Sequence, residues 1–241
     1  PDYLRRVAVD VYGAQGQVEA LSQEQKLAIA LDTLDKIGAA IESGSADYVG
    51  TRVFEPLGIR YCVQDKTLQI TVAPGGEQER GVAMSQTTNP ELRLNLADQA
   101  WYVYDENYGT SEEKRLVRFI HGRMSALRQR FAEVYLIRNE KLFTLYSFDD
   151  GQAVEPDFVL LAVERGTGQS VIYQVFIEPK GEHLIAQDRW KQTFLLQIAE
   201  QHRIETLLES KRYRLLGLPF YNESLTKMQF ETAFHQSLLE K

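Results

Sequence analysis

The sequence predicts an α/β fold, a mixed sheet flanked by helices, in the order helix, three strands, helix, strand. Three observations predict it. Two apolar runs, Phe158 to Val163 and Val171 to Ile177, are short, rich in Val, Ile, Leu and Phe, and lie beside Gly/Thr/Ser turn residues, the pattern of neighbouring strands. Neither run alternates cleanly, so both strands are expected to be buried on both faces. Helical stripes bracket the runs: Leu116, Ile120, Met124, Leu127 and Phe131 before them, and Trp190, Phe194 and Ile198 after them.

The elements follow in chain order. Val7, Val9 and Val11 alternate within 1–16 and predict one strand. Ser22 and Gln25 form a capping box that opens a helix over about 22–43. Its stripe of Leu27, Leu31, Leu34, Ile37 and Ile41 is expected to pack on a core, and Gly44 ends it. Residues 60–63 and 68–72 flank Gln64-Asp65-Lys66-Thr67 and read as a hairpin. The polar, Gly-bearing stretch 73–90 reads as a flexible loop. Residues 1–97 are therefore taken as an N-terminal α+β extension and 98–241 as the main domain.

In that domain Trp101 to Tyr104 is a short strand, and Thr110 or Ser111 caps a helix running to about Arg130. Strands are predicted at Val134 to Ile137 and Leu142 to Phe148, before the two central ones. A helix over about Asp188 to Gln201, a strand at Arg212 to Leu218 and a closing helix at Leu225 to Leu239 complete the domain.

Composition narrows the function. The chain has 241 residues, 44% of them hydrophobic, enough for one large domain or two modest ones. Cys62 is its one cysteine, which excludes an intrachain disulfide and a cysteine-based zinc cage. No G-x-x-x-x-G-K-[ST] loop occurs, so no ATP site of that kind is expected. No apolar run approaches transmembrane length and no signal peptide opens the chain, so no membrane partner and a cytoplasmic location are expected. The chain opens at Pro1 rather than Met and is expected to be a fragment. The net charge of −7 counts against strong autonomous binding to nucleic acid.

The charges of the central strands sit at their ends. Asp157 opens the first, and Glu178 and Lys180 close the second; a separation of two puts the latter pair on one face. Buried charges of this kind are costly without a task. Two carboxylates suit Mg²⁺, with Mn²⁺ able to substitute, and a lysine beside the metal could orient or deprotonate a water or offset charge on a phosphorane. The bland reading is a strand-end ion pair.

The pattern Pro156-Asp157 … Glu178-x-Lys180 resembles the PD-(D/E)xK nuclease superfamily. The longer string Tyr173-Gln174-Val175-Phe176-Ile177-Glu178-Pro179-Lys180-Gly181 resembles the nuclease motif in the restriction (Res) subunit of Type III restriction–modification enzymes. So do Asn107-Tyr108-Gly109-Thr110-Ser111-Glu112-Glu113-Lys114, Tyr135-Leu136-Ile137-Arg138-Asn139-Glu140 and Gly217-Leu218-Pro219-Phe220-Tyr221-Asn222. The likeness covers 101–241 well and the first hundred residues loosely. It implies a restriction-endonuclease-like fold and a Mg²⁺-dependent Type III site-specific deoxyribonuclease, nuclease part only. It implies Asp157 and Glu178 as metal ligands, and Lys180 and Glu113 as further catalytic residues. The implied partners are double-stranded DNA, an ATP-dependent motor region of the same parent subunit and a methyltransferase (modification) subunit.

Periodicity bears on the helix glutamates: Glu113 falls inside the apolar stripe and Glu112 at its edge. Gln174 shares a strand face with Glu178 and Lys180, and it and Glu112 are candidate supporting residues. Lys114, Arg115 and Arg118, with Arg123, Arg128 and Arg130, are either a solvated face or a phosphate-contacting one. His121, His183, His202 and His235 show no ligand spacing, Asp188 reads as a helix cap, and Tyr221-Asn222 marks a turn. Two alternatives stand beside the nuclease: a catalytically silent docking or DNA-clamping module of a larger ATP-dependent complex, and an unrelated α/β domain.

Overall fold

The structure is a computed structural model that describes residues 20–44, 63, 67, 77–166, 170–201, 205–208 and 211–240. The chain divides into two units, Pro1–Tyr48 and Val49–Lys241. The expected strand near Val7, the hairpin strands at 60–72 apart from isolated residues, His202 and residues 73–76 lie outside the described residues.

In the first unit, α1 (Gln23–Gly44) begins at the expected capping box. Ser22 N donates to Gln25 Oε1 at 2.9 Å, and Gln25 N donates back to Ser22 Oγ at 3.2 Å. The expected core role of its stripe is corrected: Leu27, Leu31 and Leu34 are exposed, at 61%, 53% and 51%. Periodicity defines an apolar face but not what covers it.

In the second unit α2 (Ser111–Arg130) feeds directly into β1 (Phe131–Arg138). There follow β2 (Leu145–Tyr146), β3 (Ala153–Val154), β4 (Phe158–Glu164) and β5 (Ser170–Ile177). After them come α3 (Glu182–Ile185), α4 (Arg189–Gln201), β6 (Glu205–Leu208), β7 (Lys211–Gly217) and α5 (Lys227–Leu238). The five-stranded sheet has the order β1-β4-β5-β7-β6. Only the β5–β7 pair is parallel. The fold is thus mixed α/β, with a mostly antiparallel sheet between helices.

The sheet is buried on both faces, as the unbroken apolar runs predicted. Phe158, Leu160, Ala162, Tyr173, Val175 and Ile177 pack with Leu116, Ile120 and Leu127 of α2 and with Phe230 and Phe234 of α5. The alternate residues Val159 and Phe176 pack with Phe194, Leu195 and Ile198 of α4. At Gly217, α4 approaches so closely that a Cβ would lie 1.9 Å from the Leu195 carbonyl oxygen.

Three expectations are corrected. The strand expected at Trp101 to Tyr104 is a single bridge, Tyr102 to Leu136. The one expected at Leu142 to Phe148 shrinks to β2, paired with β3 outside the main sheet. The flexible loop expected over 73–90 is irregular but packed across its described part. Met84 N donates to Asn107 O at 3.0 Å and Gly81 N to Tyr108 O at 2.8 Å, while Met84 and Leu96 join the α2 core. Polar composition marks absence of regular structure, and isolated anchors such as Met84 still bind the segment down. Among the described residues no helix is long and apolar enough to cross a membrane.

Candidate active site

The antiparallel register of β4 and β5 places Phe158 opposite Ile177, so the residues just outside that pair, Asp157 and Glu178, become neighbours. Asp157 N donates to Glu178 Oε2 at 2.9 Å. Lys180 Nζ lies 2.6 Å from Glu178 Oε1 and 2.9 Å from Asp188 Oδ2. Glu178 and Lys180 are only 4% and 8% exposed. The expected strand-end cluster is therefore assembled, at the edge of the core rather than in open solvent.

A turn after β7 holds this strand end. Lys180 N donates to Tyr221 O at 2.8 Å, and Tyr221 N to Glu178 O at 3.0 Å. Asn222, fully buried, donates from Nδ2 to Lys180 O at 2.9 Å, while its Oδ1 accepts from Ser224 N and Leu225 N. Sequence reasoning assigned this turn no task, because its partners are some forty residues away in the chain.

Glu113 approaches from the first turn of α2. Thr110 caps the helix by accepting from Glu113 N at 3.4 Å. The carboxylate lies against Gly109, where a Cβ would come within 2.2 Å of Glu113 Oε2; only glycine leaves that space. Glu113 is 8% exposed, and its Oε2 sits 2.7 Å from Arg138 Nη2. The contact is ionic without an aligned hydrogen bond. Arg138, at the end of β1, pairs with Phe158 and so stands beside Asp157. Asn139 N donates to Asp157 O at 2.7 Å.

The electrostatics follow from crowding. Asp157 holds its proton well above the usual aspartate range, first because it is buried, then because Glu178 and Glu113 repel its charge. Burial likewise raises Glu113, and Arg138 and Thr110 only partly offset it. Burial disfavours the Lys180 ammonium, but Glu178 and Asp188 outweigh this and raise its value. Asp188 is lowered: burial works against its charge, and the hydrogen bonds and charges of Lys180 and Lys191 prevail.

The remaining expectations divide. Glu112 is engaged by other partners; it pairs with Arg115 at 2.7 Å and accepts from Glu223 N at 3.1 Å. Gln174 is half-buried between Leu161 and Leu215, and the structure gives it no hydrogen bond to Glu178 or Lys180. Lys114 is corrected as a DNA contact: its side chain is fully buried, with Nζ 2.7 Å from both Glu79 O and Glu79 Oε2. Arg115 is half-buried on Glu112, whereas Arg118 is exposed. Asp188 is also corrected: its side chain serves Lys180 and Lys191 instead of capping α4. His183 and His235 are exposed, and His121 packs 5.9 Å from Trp101. Among the described residues no three His, Cys, Asp or Glu side chains are gathered closely enough to hold one metal ion.

Residues 88–239 match the HI_1054_C family, described as a C-terminal domain. The chain belongs to this family. The matched span contains the whole candidate site. A protein of Haemophilus influenzae described as "Uncharacterized protein" is 33% identical over 218 residues. The alignment covers 87% of this chain and 44% of the relative, so the chain spans less than half of that protein's length. No solved structure matches.

Proposed function

We propose that this chain is the nuclease part of a divalent-cation-dependent DNA endonuclease with a restriction-endonuclease-like fold. It is similar to the C-terminal domain of a Type III restriction subunit. The observation that carries the reading is the convergence of Asp157, Glu178 and Lys180 at the ends of adjacent buried strands, with Asp157 left short of positive charge.

That shortage is the test of fit for Mg²⁺ or Mn²⁺. Asp157 and Glu178 supply two hard oxygen donors out of bulk water, and a divalent cation relieves their repulsion. Two carboxylates suffice for Mg²⁺, which keeps waters and substrate oxygens as its other ligands. When bound, the cation would supply Lewis acidity toward the scissile phosphate and lower the pKa of a water. The chain's own residues do the rest. Lys180, kept protonated by Glu178 and Asp188, orients the attacking water and offsets charge on the phosphoryl oxygens instead of acting as a base. Asn222 and Tyr221 fix the strand end that carries Glu178 and Lys180. Glu113 adds a further carboxylate from α2.

With a net charge of −7 the chain is delivered to DNA more than drawn to it. The reading assigns delivery to an ATP-dependent motor region of the parent subunit and sequence reading to a methyltransferase subunit, in the cytoplasm. The alternative is a catalytically silent docking or DNA-clamping module of a larger ATP-dependent complex.

Plasmid cleavage separates the two. The purified chain with Mg²⁺ or Mn²⁺ is expected to cut slowly, without sequence preference and without regard to ATP. Asp157→Ala, Glu178→Ala and Lys180→Ala should each abolish cutting while remaining folded. Wild-type rates in any folded member of this set contradict the assignment, and fast cutting at one defined sequence by the chain alone contradicts delivery.

A further inference from the structure

Lys180 stands between two carboxylates. Its Nζ lies 2.6 Å from Glu178 Oε1 and 2.9 Å from Asp188 Oδ2. Among the described residues these are the two carboxylates within ion-pair distance of it. They differ in their other duties. Glu178 uses its second oxygen to accept from Asp157 N at 2.9 Å, and so belongs to the pair of strand ends. Asp188 lies outside the sheet, just before α4, and its Oδ2 also takes Lys191 Nζ at 3.2 Å. Its main chain is pinned on both sides: Asp188 N donates to Leu184 O and Asp188 O accepts from Lys191 N, each at 2.9 Å. The second carboxylate is therefore carried on a fixed turn.

An ammonium 2.6 Å from Glu178 Oε1 repels a divalent cation that approaches the same carboxylate. Glu178 can serve the cation only as far as Lys180 gives it up. A buried ammonium that loses its one counter-charge is strongly destabilised. Asp188 removes that obstacle, because it keeps a carboxylate at hydrogen-bond distance from Lys180 whatever Glu178 does. Phe220 supports the same position, with its ring centroid 5.5 Å from Lys180 Nζ.

We propose that Asp188 is a positioning residue: it holds the Lys180 ammonium while Glu178 turns to the divalent cation, and so raises the cation affinity of the site through Lys180. The inference rests on the cation reading above. It goes beyond that reading in giving Asp188 a task and in making Lys180 the carrier of its effect.

The test is calorimetric titration of the metal-stripped chain with Mn²⁺, scoring only the binding that Asp157→Asn abolishes. Asp188→Asn keeps the size of the side chain and removes its charge. It should weaken Mn²⁺ binding about fivefold or more, the usual scale of coupling between two sites. In a Lys180→Met chain the same Asp188→Asn change should leave Mn²⁺ affinity unaltered. Equal weakening in both backgrounds would mean that Asp188 acts on the cation directly, and overturns the proposal. Undiminished affinity in Asp188→Asn overturns it too. If Lys180→Met does not fold, crystals of the wild-type chain with Mn²⁺ decide. Lys180 Nζ still bonded to Asp188 and withdrawn from Glu178 is the expected result; Lys180 released from Asp188, or still on Glu178 with the cation bound, overturns the proposal. All these outcomes leave the nuclease reading standing. No Asp157-dependent binding in the wild type overturns the cation reading itself, and this inference with it.

Discussion

Asn222 donates its side-chain amide to the main-chain carbonyl of Lys180 at 2.9 Å, and Asn222 is wholly out of water. This bond ties the turn after β7 to the strand end that carries the candidate chemistry. Truncating it in Asn222→Ala strands the Lys180 carbonyl and the amides of Ser224 and Leu225. Leaving a buried group unpaired costs about 1–3 kcal/mol. The urea midpoint of Asn222→Ala should fall accordingly, and any cleavage should fall further than stability alone explains. An unchanged midpoint would show that the turn does not depend on this bond.

Lys114 and Arg118 lie on the same helix and should behave oppositely. Lys114 is buried against the partly exposed Glu79, so Lys114→Met removes the ion pair and leaves the Glu79 carbonyl without its donor, and should cost about 1–3 kcal/mol. Arg118→Ala, at an exposed position, should leave stability nearly unchanged and weaken DNA binding at low salt. Unfolding curves and filter binding on both variants check this. A stable Lys114→Met chain with weakened DNA binding would restore Lys114 as a DNA contact.

The two helix glutamates give a sharper comparison. Glu113 faces Arg138 and acts on Asp157, whereas Glu112 is occupied by Arg115 and the Glu223 amide. Glu113→Gln should therefore reduce cleavage more than Glu112→Gln, since the amide keeps the shape and removes the charge. Rates measured in the assembled enzyme decide, and the reverse order would place the wrong glutamate in the site.

Stability should also depend on pH in a defined sense. Asp157 binds its proton more tightly in the folded chain than in the unfolded one, because it is buried beside Glu178 and Glu113. Between the ordinary aspartate value of 3.8 and the raised one, the folded state holds more protons, so stability falls as pH climbs through that window. Glu113 acts in the same direction from 4.5 upward. Asp188, lowered by Lys180 and Lys191, acts in the opposite sense, and its contribution is lost as pH drops below 3.8. Asp157→Asn should flatten the fall and be the more stable chain at neutral pH without metal. Parallel urea curves for the two chains across that window would contradict this.

What the sequence disclosed follows from how far apart the interacting residues lie. The central strands were legible because burial on both faces leaves an unbroken apolar run, and α2 because its stripe and Thr110 are local signals. The pairing of Glu178 with Lys180 was legible for the same reason, since a separation of two fixes the face. Lys114 was misread because its partner Glu79 sits 35 residues upstream, and no helical period reports that. Asp188 resembled a cap because caps and ion-pair carboxylates use the same residue. Asn222 was legible as part of a turn and Arg138 as part of a strand end, but neither showed its task, since each acts on a residue from another element. The exposed stripe of α1 shows the converse: periodicity gave the face and left its surroundings unstated.

The central claim is that Asp157 and Glu178 form a divalent-cation site beside Lys180. Its most direct test is an anomalous difference map from crystals of the chain grown with Mn²⁺, with Asp157→Asn crystals as the reference. A peak between the Asp157 and Glu178 carboxylates in the wild type, absent from the variant, is the predicted result. A fully ordered wild-type site without that peak, with Glu178 still paired to Lys180, would contradict the account.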